Sequence, residues 1–202
     1  MKPLSLTAFI VIAILISSAA GCSRSESETA FDDGKVLWEL DRYEEAIPHF
    51  TKAIQIDSKY TLAYLVRGSS YQKLGRHQDA IADFDEGIRL NHNDSVFAYA
   101  DRGVSYSALG QYEDAIDDFN KAARLGSSYA EIYAFRGAAY SNLGEYQKAI
   151  DDYTKALKKE VDADWFKAVY LYERGSAYKE LGQDANADVD FAKACSLANQ
   201  FC

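Results

Sequence analysis

The sequence predicts an all-α fold made of five repeated helix–turn–helix units, because residues of fixed type recur with a period of about 34 residues. A small residue marks each unit, at spacings of 34, 35, 34 and 38 residues: Ala46, Ala80, Ala115, Ala149 and Ala187. A glycine stands twelve residues before each of them: Gly34, Gly68, Gly103, Gly137 and Gly175. An aromatic residue stands four residues after each: Phe50, Phe84, Phe119, Tyr153 and Phe191.

This register resembles the tetratricopeptide repeat (TPR), and it extends from residue 27 to about residue 201. The resemblance implies two antiparallel helices, A and B, in each unit and a right-handed α-solenoid for the whole array. The first unit is degenerate, because Asp32 and Asp33 replace the usual apolar and arginine positions, as is common in terminal units. We expect residues 158–164 to form a loop that holds the four extra residues of the longest spacing. The five expected units are residues 27–60, 61–95, 96–129, 130–163 and 168–201.

The recurring glycines predict close contacts between helices. A glycine inside a helix costs roughly 1 kcal/mol relative to alanine, so five of them in register require a compensating contact. We expect Gly68 to let helix A approach its neighbour, and Phe84 to fill the space between successive units. Leu-Gly pairs should end the A helices, because glycine readily adopts the left-handed conformation of a helix C-cap. These pairs lie at residues 74–75, 109–110, 143–144 and 181–182.

Two opposite charges also recur in register. An arginine precedes four of the glycines: Arg67, Arg102, Arg136 and Arg174. An aspartate precedes four of the aromatic residues of helix B: Asp83, Asp118, Asp152 and Asp190. The pattern predicts a ladder of ion pairs within or between units, and the alternative is a charged rail that binds ligands.

Residues 1–21 predict a signal peptide rather than a part of the fold. Lys2 is followed by an apolar run from Leu4 to Ala20, which is short for a membrane span of about twenty residues. The end of this run, Ala-Ala-Gly followed by Cys22, resembles the lipidation site of bacterial lipoproteins.

The lipoprotein resemblance implies that Cys22 carries acyl chains, which would anchor the mature protein to a membrane. Ser23 follows this cysteine, as in lipoproteins that are sent to the outer membrane, and the resemblance implies a position on its periplasmic face. An uncleaved signal anchor and a secreted protein cut after Ala20 remain alternatives. The polar, serine-rich residues 22–30 predict a flexible tether between the lipid and the array.

The concave surface of such an array is lined by its A helices, and the resemblance implies that extended peptides or partner helices bind there. The apolar character of these positions, including two phenylalanines, favours a hydrophobic peptide, an amphipathic helix or another protein surface over a carboxylate clamp. The alternative is that the same residues pack against one another in a tight superhelix. The expected groove residues are Leu62, Leu65, Ser69, Gln72, Lys73, Phe97, Ala100, Asp101, Val104, Ser107, Glu131, Ala134, Phe135, Ala138, Asn142, Tyr172 and Ser176.

Composition argues against several functional classes. The net charge of −9, from 22 basic and 31 acidic residues, argues against a nucleic-acid partner, because phosphate backbones require basic surfaces. The three histidines and three cysteines lack metal-ligand spacing, and the chain has no Gly-x-Ser-x-Gly motif. We therefore expect no catalytic residues, no metal and no cofactor.

Cys195 and Cys202 leave two alternatives open. Seven residues of straight helix rise about 10.5 Å, too far for a disulfide. If the tail folds back after Ala198, the two thiols could bridge in an oxidising periplasm. We also expect Leu197 and Phe201 to form an exposed apolar edge, which could support a homodimer.

These patterns predict a lipid-anchored scaffold of the bacterial cell envelope that holds protein or peptide partners near a membrane. The alternative is an accessory or adaptor subunit of a periplasmic enzyme or of a secretion or pilus assembly machine. An enzyme in its own right has no support in the sequence.

Overall fold

The computed structural model describes residues 24–90, 95–126, 128–159 and 163–202, and over these residues it contains ten α-helices and no β-strand. The A helices are α1 (Glu26–Glu39), α3 (Thr61–Lys73), α5 (Val96–Ala108), α7 (Ala130–Asn142) and α9 (Asp164–Glu180). The B helices are α2 (Tyr43–Ile56), α4 (His77–Leu90), α6 (Tyr112–Leu125), α8 (Tyr146–Leu157) and α10 (Asp184–Leu197). A 3₁₀ turn, Asn199–Phe201, follows α10. The signal peptide predicted for residues 1–21 and the predicted lipidation site Cys22 lie outside the described residues.

Each helix packs against the next helix along the chain, and the contacts are most extensive between helices A and B of one unit. The A helices of successive units also touch: α3 with α5, α5 with α7, and α7 with α9. In a solenoid each repeat contacts only its neighbours, and this is the pattern observed. The predicted all-α solenoid of five units is therefore confirmed.

The hydrophobic core is shared between units rather than enclosed within them. One cluster contains Ala115 and Phe119 of α6, both fully buried. Ile88 comes to this cluster from the preceding unit and Ile132 from the following unit. A single helical pair cannot cover its own apolar face, so each unit depends on its neighbours for stability.

The recurring glycines make the close contacts that the sequence predicts. A methyl group added at Gly103 would lie 2.8 Å from Cε1 of Phe119, which is closer than such atoms pack. Gly137 is less tight, since a methyl group there would lie 3.2 Å from the ring of Tyr153. Glycine at these positions lets the ring of helix B rest directly on the backbone of helix A.

The turns between helices A and B also follow the prediction. Gly75, Gly110, Gly144 and Gly182 have φ angles between 69° and 75°, in the left-handed region where glycine carries no steric penalty. The first unit has Asp41 at this position, with φ of 58°. Aspartate tolerates the left-handed conformation better than most residues, so the degenerate unit keeps the same turn.

The recurring arginines and aspartates form the predicted ladder of ion pairs. Arg102 donates from Nε to Asp118 Oδ2 at 2.6 Å and from Nη2 to Asp118 Oδ1 at 2.8 Å. Such two-bond pairs fix geometry as well as charge. The same pairing joins Arg67 to Asp83, Arg136 to Asp152 and Arg174 to Asp190.

Each of these arginines also reaches back to the preceding unit. Its Nη1 atom donates to the residue that directly follows the aromatic residue on helix B of that preceding unit. The acceptors are Thr51, Asp85, Asn120 and Thr154. One guanidinium thus ties two helices of its own unit to a third helix from the neighbouring unit. Because the arginine and aspartate side chains are largely buried, the ladder serves the fold, and the alternative of a ligand-binding rail is not supported.

The tether predicted for residues 22–30 is wrong from residue 26 onward, because α1 begins at Glu26. Ser25 is the N-cap: its Oγ accepts from the amide of Glu28 at 3.1 Å, and Glu28 Oε2 accepts from the amide of Ser25 at 2.8 Å. This reciprocal capping box starts the helix, and burial of Ala30 and Phe31 holds it. The Ser-x-x-Glu spacing at residues 25–28 was the sequence signal for it.

The extra residues of the fifth unit also lie elsewhere than expected. Helix α9 has 17 residues, whereas α3, α5 and α7 have 13 each. It begins at Asp164, within the loop predicted for residues 158–164 and before the expected unit start at residue 168. The lengthened helix adds Trp165 and Phe166 to its first turn, and these rings contact each other edge to face.

Candidate peptide-binding surface

The A helices carry large apolar side chains on the surface of the array. Phe97 of α5 is 61% exposed and Phe135 of α7 is 44% exposed. Phe135 is held in place because its ring stacks on the buried ring of Phe119, with centroids 6.0 Å apart. Exposed phenylalanines that are fixed by packing are typical of interaction surfaces.

Two concavities lie on either side of Phe135, between helices α5 and α7. The first has a volume of about 290 Å³, and the expected groove residues that line it are Phe97, Ala100, Asp101, Glu131 and Phe135. The second has a volume of about 280 Å³, and the expected groove residues that line it are Val104, Ser107, Phe135, Ala138 and Asn142. The third and fourth units therefore bring eight of the predicted residues together around the ring of a ninth, Phe135.

The first concavity also contains residues that sequence reasoning missed, namely Val96, Tyr129 and Ile132. Tyr129 is 41% exposed, and its ring meets that of Phe97 edge to face with centroids 5.3 Å apart. It stands at the N-cap of α7, before the first helical turn. Counting positions along helix A therefore could not find it, and the sequence carries no other signal for it.

Three of the expected groove residues have structural roles instead. Ala134 is 7% exposed and belongs to the core between the fourth and fifth units. Leu65 packs on Gly87 of helix B, where a methyl group would lie 2.3 Å from Cδ2 of the leucine. Gln72 donates from Nε2 to the carbonyl oxygen of Asp101 at 2.8 Å and to Ser105 Oγ at 2.9 Å, which links α3 to α5. These contacts give the three side chains a role in the fold, and a ligand contact at these positions stays a prediction.

The remaining predicted residues do not line either of the two concavities. Leu62 and Lys73 are exposed at the two ends of α3, and Ser69 is half-buried between them. In the fifth unit, Tyr172 is exposed on α9, and Ser176 donates its hydroxyl to the Tyr172 carbonyl oxygen at 3.0 Å. Whether these positions contact a ligand stays a prediction.

The surface around the first concavity is acidic. Burial raises the pKa of Asp101 to about 6, although the positive charge of Lys73 lowers it. Burial of the Tyr170 hydroxyl and, to a lesser extent, the charge of the exposed Glu131 raise the pKa of Tyr170 to about 12. The carboxylates of Asp101 and Glu131 disfavour an acidic ligand on this surface, although the positive charge of Lys73 acts on Asp101.

The C-terminal tail folds back onto the fifth unit. Cys195 and Cys202 form a disulfide with their Cα atoms 4.7 Å apart, since the chain leaves α10 at Ala198 in an extended conformation and then turns. Leu197 and Phe201 pack against the core of α9 and α10. The exposed apolar edge predicted for these two side chains is therefore wrong, because both are half-buried on their own chain. A homodimer stays a prediction.

Within the described residues, no group of His, Cys, Asp or Glu side chains has a geometry that could hold a metal ion. Within the same described residues, no helix is both long enough and apolar enough to cross a membrane.

Comparison with sequence families assigns the repeats. One model described as "Tetratricopeptide repeat" matches residues 61–94 and 130–160, and a second with this description matches residues 168–201. A model described as "TPR repeat" matches residues 34–75 and 103–144. The chain belongs to the tetratricopeptide-repeat family. The TPR family and fold are those of scaffold proteins, which are generally non-enzymatic.

Solved TPR structures share this fold. A MamA protein is 25% identical, with a TM-score of 0.77 over 86% of this chain and 92% of that one. MamA from Desulfovibrio magneticus RS-1 is 19% identical, with a TM-score of 0.80 over 88% of this chain and 97% of that one. YrrB, described as a TPR protein with an unusual peptide-binding site, is 18% identical, with a TM-score of 0.73 over 94% of this chain and 92% of that one. Among curated protein sequences, none matches the chain significantly.

Proposed function

We propose that this TPR protein is a lipid-anchored scaffold of the bacterial cell envelope that binds a peptide segment of a protein partner between helices α5 and α7. The observation that carries the proposal is the pair of concavities on either side of Phe135, each lined mainly by apolar side chains. Burying exposed apolar area contributes about 25 cal/mol per Å², so two aromatic side chains can anchor a peptide.

The shape of the surface favours a peptide over a small molecule. The two concavities are open and lie side by side with Phe135 between them, so successive side chains of one peptide can occupy both. Peptide recognition commonly uses such alternating pockets for specificity. YrrB, which shares the fold, is described as having a peptide-binding site, so the fold is compatible with this use.

The proposed envelope location has two supports. The apolar run that ends at Cys22 resembles a lipoprotein signal, and acyl chains on that cysteine would hold the array at a membrane surface. The disulfide between Cys195 and Cys202 would persist in an oxidising compartment such as the periplasm, whereas cytosolic thiols are kept reduced.

Affinity capture from detergent-solubilised membranes would test the binding surface. The full-length protein is compared with a Phe97→Asp/Phe135→Asp variant and with a Val189→Asp control, whose side chain is 66% exposed on α10 and outside both concavities. We expect the wild type and the control to capture the same partner and the double variant to lose it. Circular dichroism checks that all three are folded. If the double variant retains the partner, the surface between α5 and α7 is not the binding site.

Metabolic labelling with a palmitate analogue would test the anchor. The wild type should be labelled and should fractionate with membranes, whereas Cys22→Ser should not be labelled. Retention of an unlabelled wild type in the membrane fraction would instead support the uncleaved signal anchor. Release of an unlabelled wild type into the soluble fraction would support cleavage after Ala20.

A further inference from the structure

The first concavity combines aromatic walls with two carboxylates. Its walls include the rings of Phe97, Tyr129 and Phe135, and its lining also includes Asp101 and Glu131. Phe97 and Tyr129 support each other edge to face, and Phe135 is stacked on Phe119, so the three rings are fixed by packing. An apolar pocket without acidic groups would suffice for an aliphatic side chain, so the carboxylates need another explanation.

The carboxylate of Asp101 differs from the other half-buried and buried aspartates of the array. Asp83, Asp118, Asp152 and Asp190 each accept two hydrogen bonds from an arginine. Among the described residues, the Asp101 side chain has no ion pair or hydrogen bond, and the same holds for Glu131. Burying a charge is costly unless it is paired. Lys73 lowers the pKa of Asp101 but, among the described residues, forms no ion pair with it, and Glu131 is exposed to solvent. The pocket therefore presents two carboxylates that can bind a cation of a ligand.

The ligand chemistry that fits is a cation on an apolar stem. The faces of aromatic rings attract cations within about 6 Å, and a desolvated contact of this kind is stronger than an exposed one. Lysine and arginine side chains have an apolar stem that can lie along the rings while the charged end reaches the carboxylates. An acidic side chain would be repelled, and a neutral apolar one would bury the carboxylates without compensation.

We propose that the pocket formed by Phe97, Asp101, Tyr129, Glu131 and Phe135 binds a lysine or arginine side chain of the partner peptide. An apolar side chain of the same peptide then occupies the second concavity, whose lining is mainly apolar and contains no charged side chain. This inference rests on the proposed function, because it names the chemistry of a peptide bound at that same surface.

A peptide array tests the proposal without knowledge of the natural partner. The full-length protein is applied to random twelve-residue peptides, and binding that disappears in Phe135→Asp is assigned to this surface. We expect these binders to be enriched in lysine and arginine next to apolar residues. In Asp101→Asn/Glu131→Gln, affinity for the basic binders should fall by roughly tenfold or more. Asp117→Asn, which removes an exposed carboxylate on α6 outside the pocket, is the matched control.

The outcomes separate the two proposals. Binders that depend on Phe135 but carry no excess of basic residues, or that bind the Asp101→Asn/Glu131→Gln variant unchanged, overturn the cation pocket and leave the peptide-binding surface standing. An array without any binder that depends on Phe135 overturns the peptide-binding surface, and the pocket proposal falls with it.

The pH dependence of a basic binder gives an independent readout. Burial raises the pKa of Asp101 to about 6, so its carboxylate is charged at neutral pH and protonated in more acidic solution. The other charged groups that face it are Lys73 from α3 and Glu131 from α7. Affinity should therefore weaken several-fold between about pH 7.5 and about pH 5 in the wild type and change less in Asp101→Asn. An equal pH response in both proteins would remove Asp101 from the pocket's recognition.

Discussion

Substitution of Arg102 by methionine tests whether the ladder of ion pairs holds the units together. Arg102 of α5 donates two hydrogen bonds to Asp118 of α6 and a third to Asp85 of α4. Methionine keeps an apolar stem but removes all three hydrogen bonds. The Asp118 side chain, which is 3% exposed, is then left with Lys121 at 3.5 Å as its ion-pair partner among the described residues.

The expected loss of stability depends on which charges the substitution leaves unpaired. Removing one member of a buried ion pair costs about 3–5 kcal/mol, because the other charge remains buried without compensation. Asp85 is half-exposed, so water replaces that hydrogen bond at little cost. For a chain of this length, 1 kcal/mol corresponds to roughly 2–4 °C, so the melting temperature should fall by roughly 6–20 °C. The contact with Lys121 places the expectation toward the lower end.

Thermal and urea unfolding followed by circular dichroism would measure the effect. The double variant Arg102→Met/Asp118→Leu removes both buried charges and should recover most of the loss, because well-packed apolar residues often replace a buried pair without cost. Arg89→Met is the control: Arg89 pairs with Glu86 on the protein surface, and stability should change by less than about 1 kcal/mol. A melting temperature of Arg102→Met that matches the wild type, or a double variant no more stable than Arg102→Met, would refute the reasoning.

Three further substitutions test packing, turn conformation and the C-terminal tail, each by the same unfolding measurements. Gly103→Ala should lower the free energy of unfolding by about 1–3 kcal/mol, because its methyl group would lie 2.8 Å from Phe119. Gly137→Ala should lower it less, because the nearest atom there is 3.2 Å away. Equal losses in the two variants would argue against steric contact as the cause. Gly110→Ala should lower the free energy of unfolding by about 1–2 kcal/mol through the φ of 74° alone, since no neighbouring atom lies within 4 Å of the added methyl group. Gly110→Asn should lower it less, because asparagine tolerates this conformation better. The reverse order would contradict this account. Cys195→Ser/Cys202→Ser should lose roughly 2.5 kcal/mol in the fifth unit, and reductant should then lower the stability of the wild type but not that of the variant.

The sequence predicted the fold well because the structural roles in a repeat depend on local spacing. The glycine and aromatic residues lie on helices A and B of the same hairpin, so their separation along the chain sets their contact in space. The same holds for Arg102 and Asp118, which are sixteen residues apart, as are the other three pairs of the ladder. The capping box that begins at Ser25 is also a local pattern of the sequence, and the tether prediction failed because it did not take this pattern into account.

The candidate site was predictable only in part. Phe97 and Phe135 were found because groove positions recur along helix A. Leu65 and Ala134 occupy similar positions but are taken up by contacts with helix B and with the neighbouring unit. Tyr129 was missed because it precedes helix A, in a segment where the repeat pattern assigns no role.

By itself, the sequence determined the number of units, the helix in which each recurring residue lies, and the pairing of charges within each unit, because all of these follow from the period of the repeat. Only the tertiary structure decided which side chains of helix A remain exposed, since this depends on the rotation between successive units. It also decided the pairing of Cys195 with Cys202, because the chain had to reverse after Ala198 before the two sulfur atoms could meet. The pocket around Asp101 arises in the same way, since its walls come from two units that only stacking brings together.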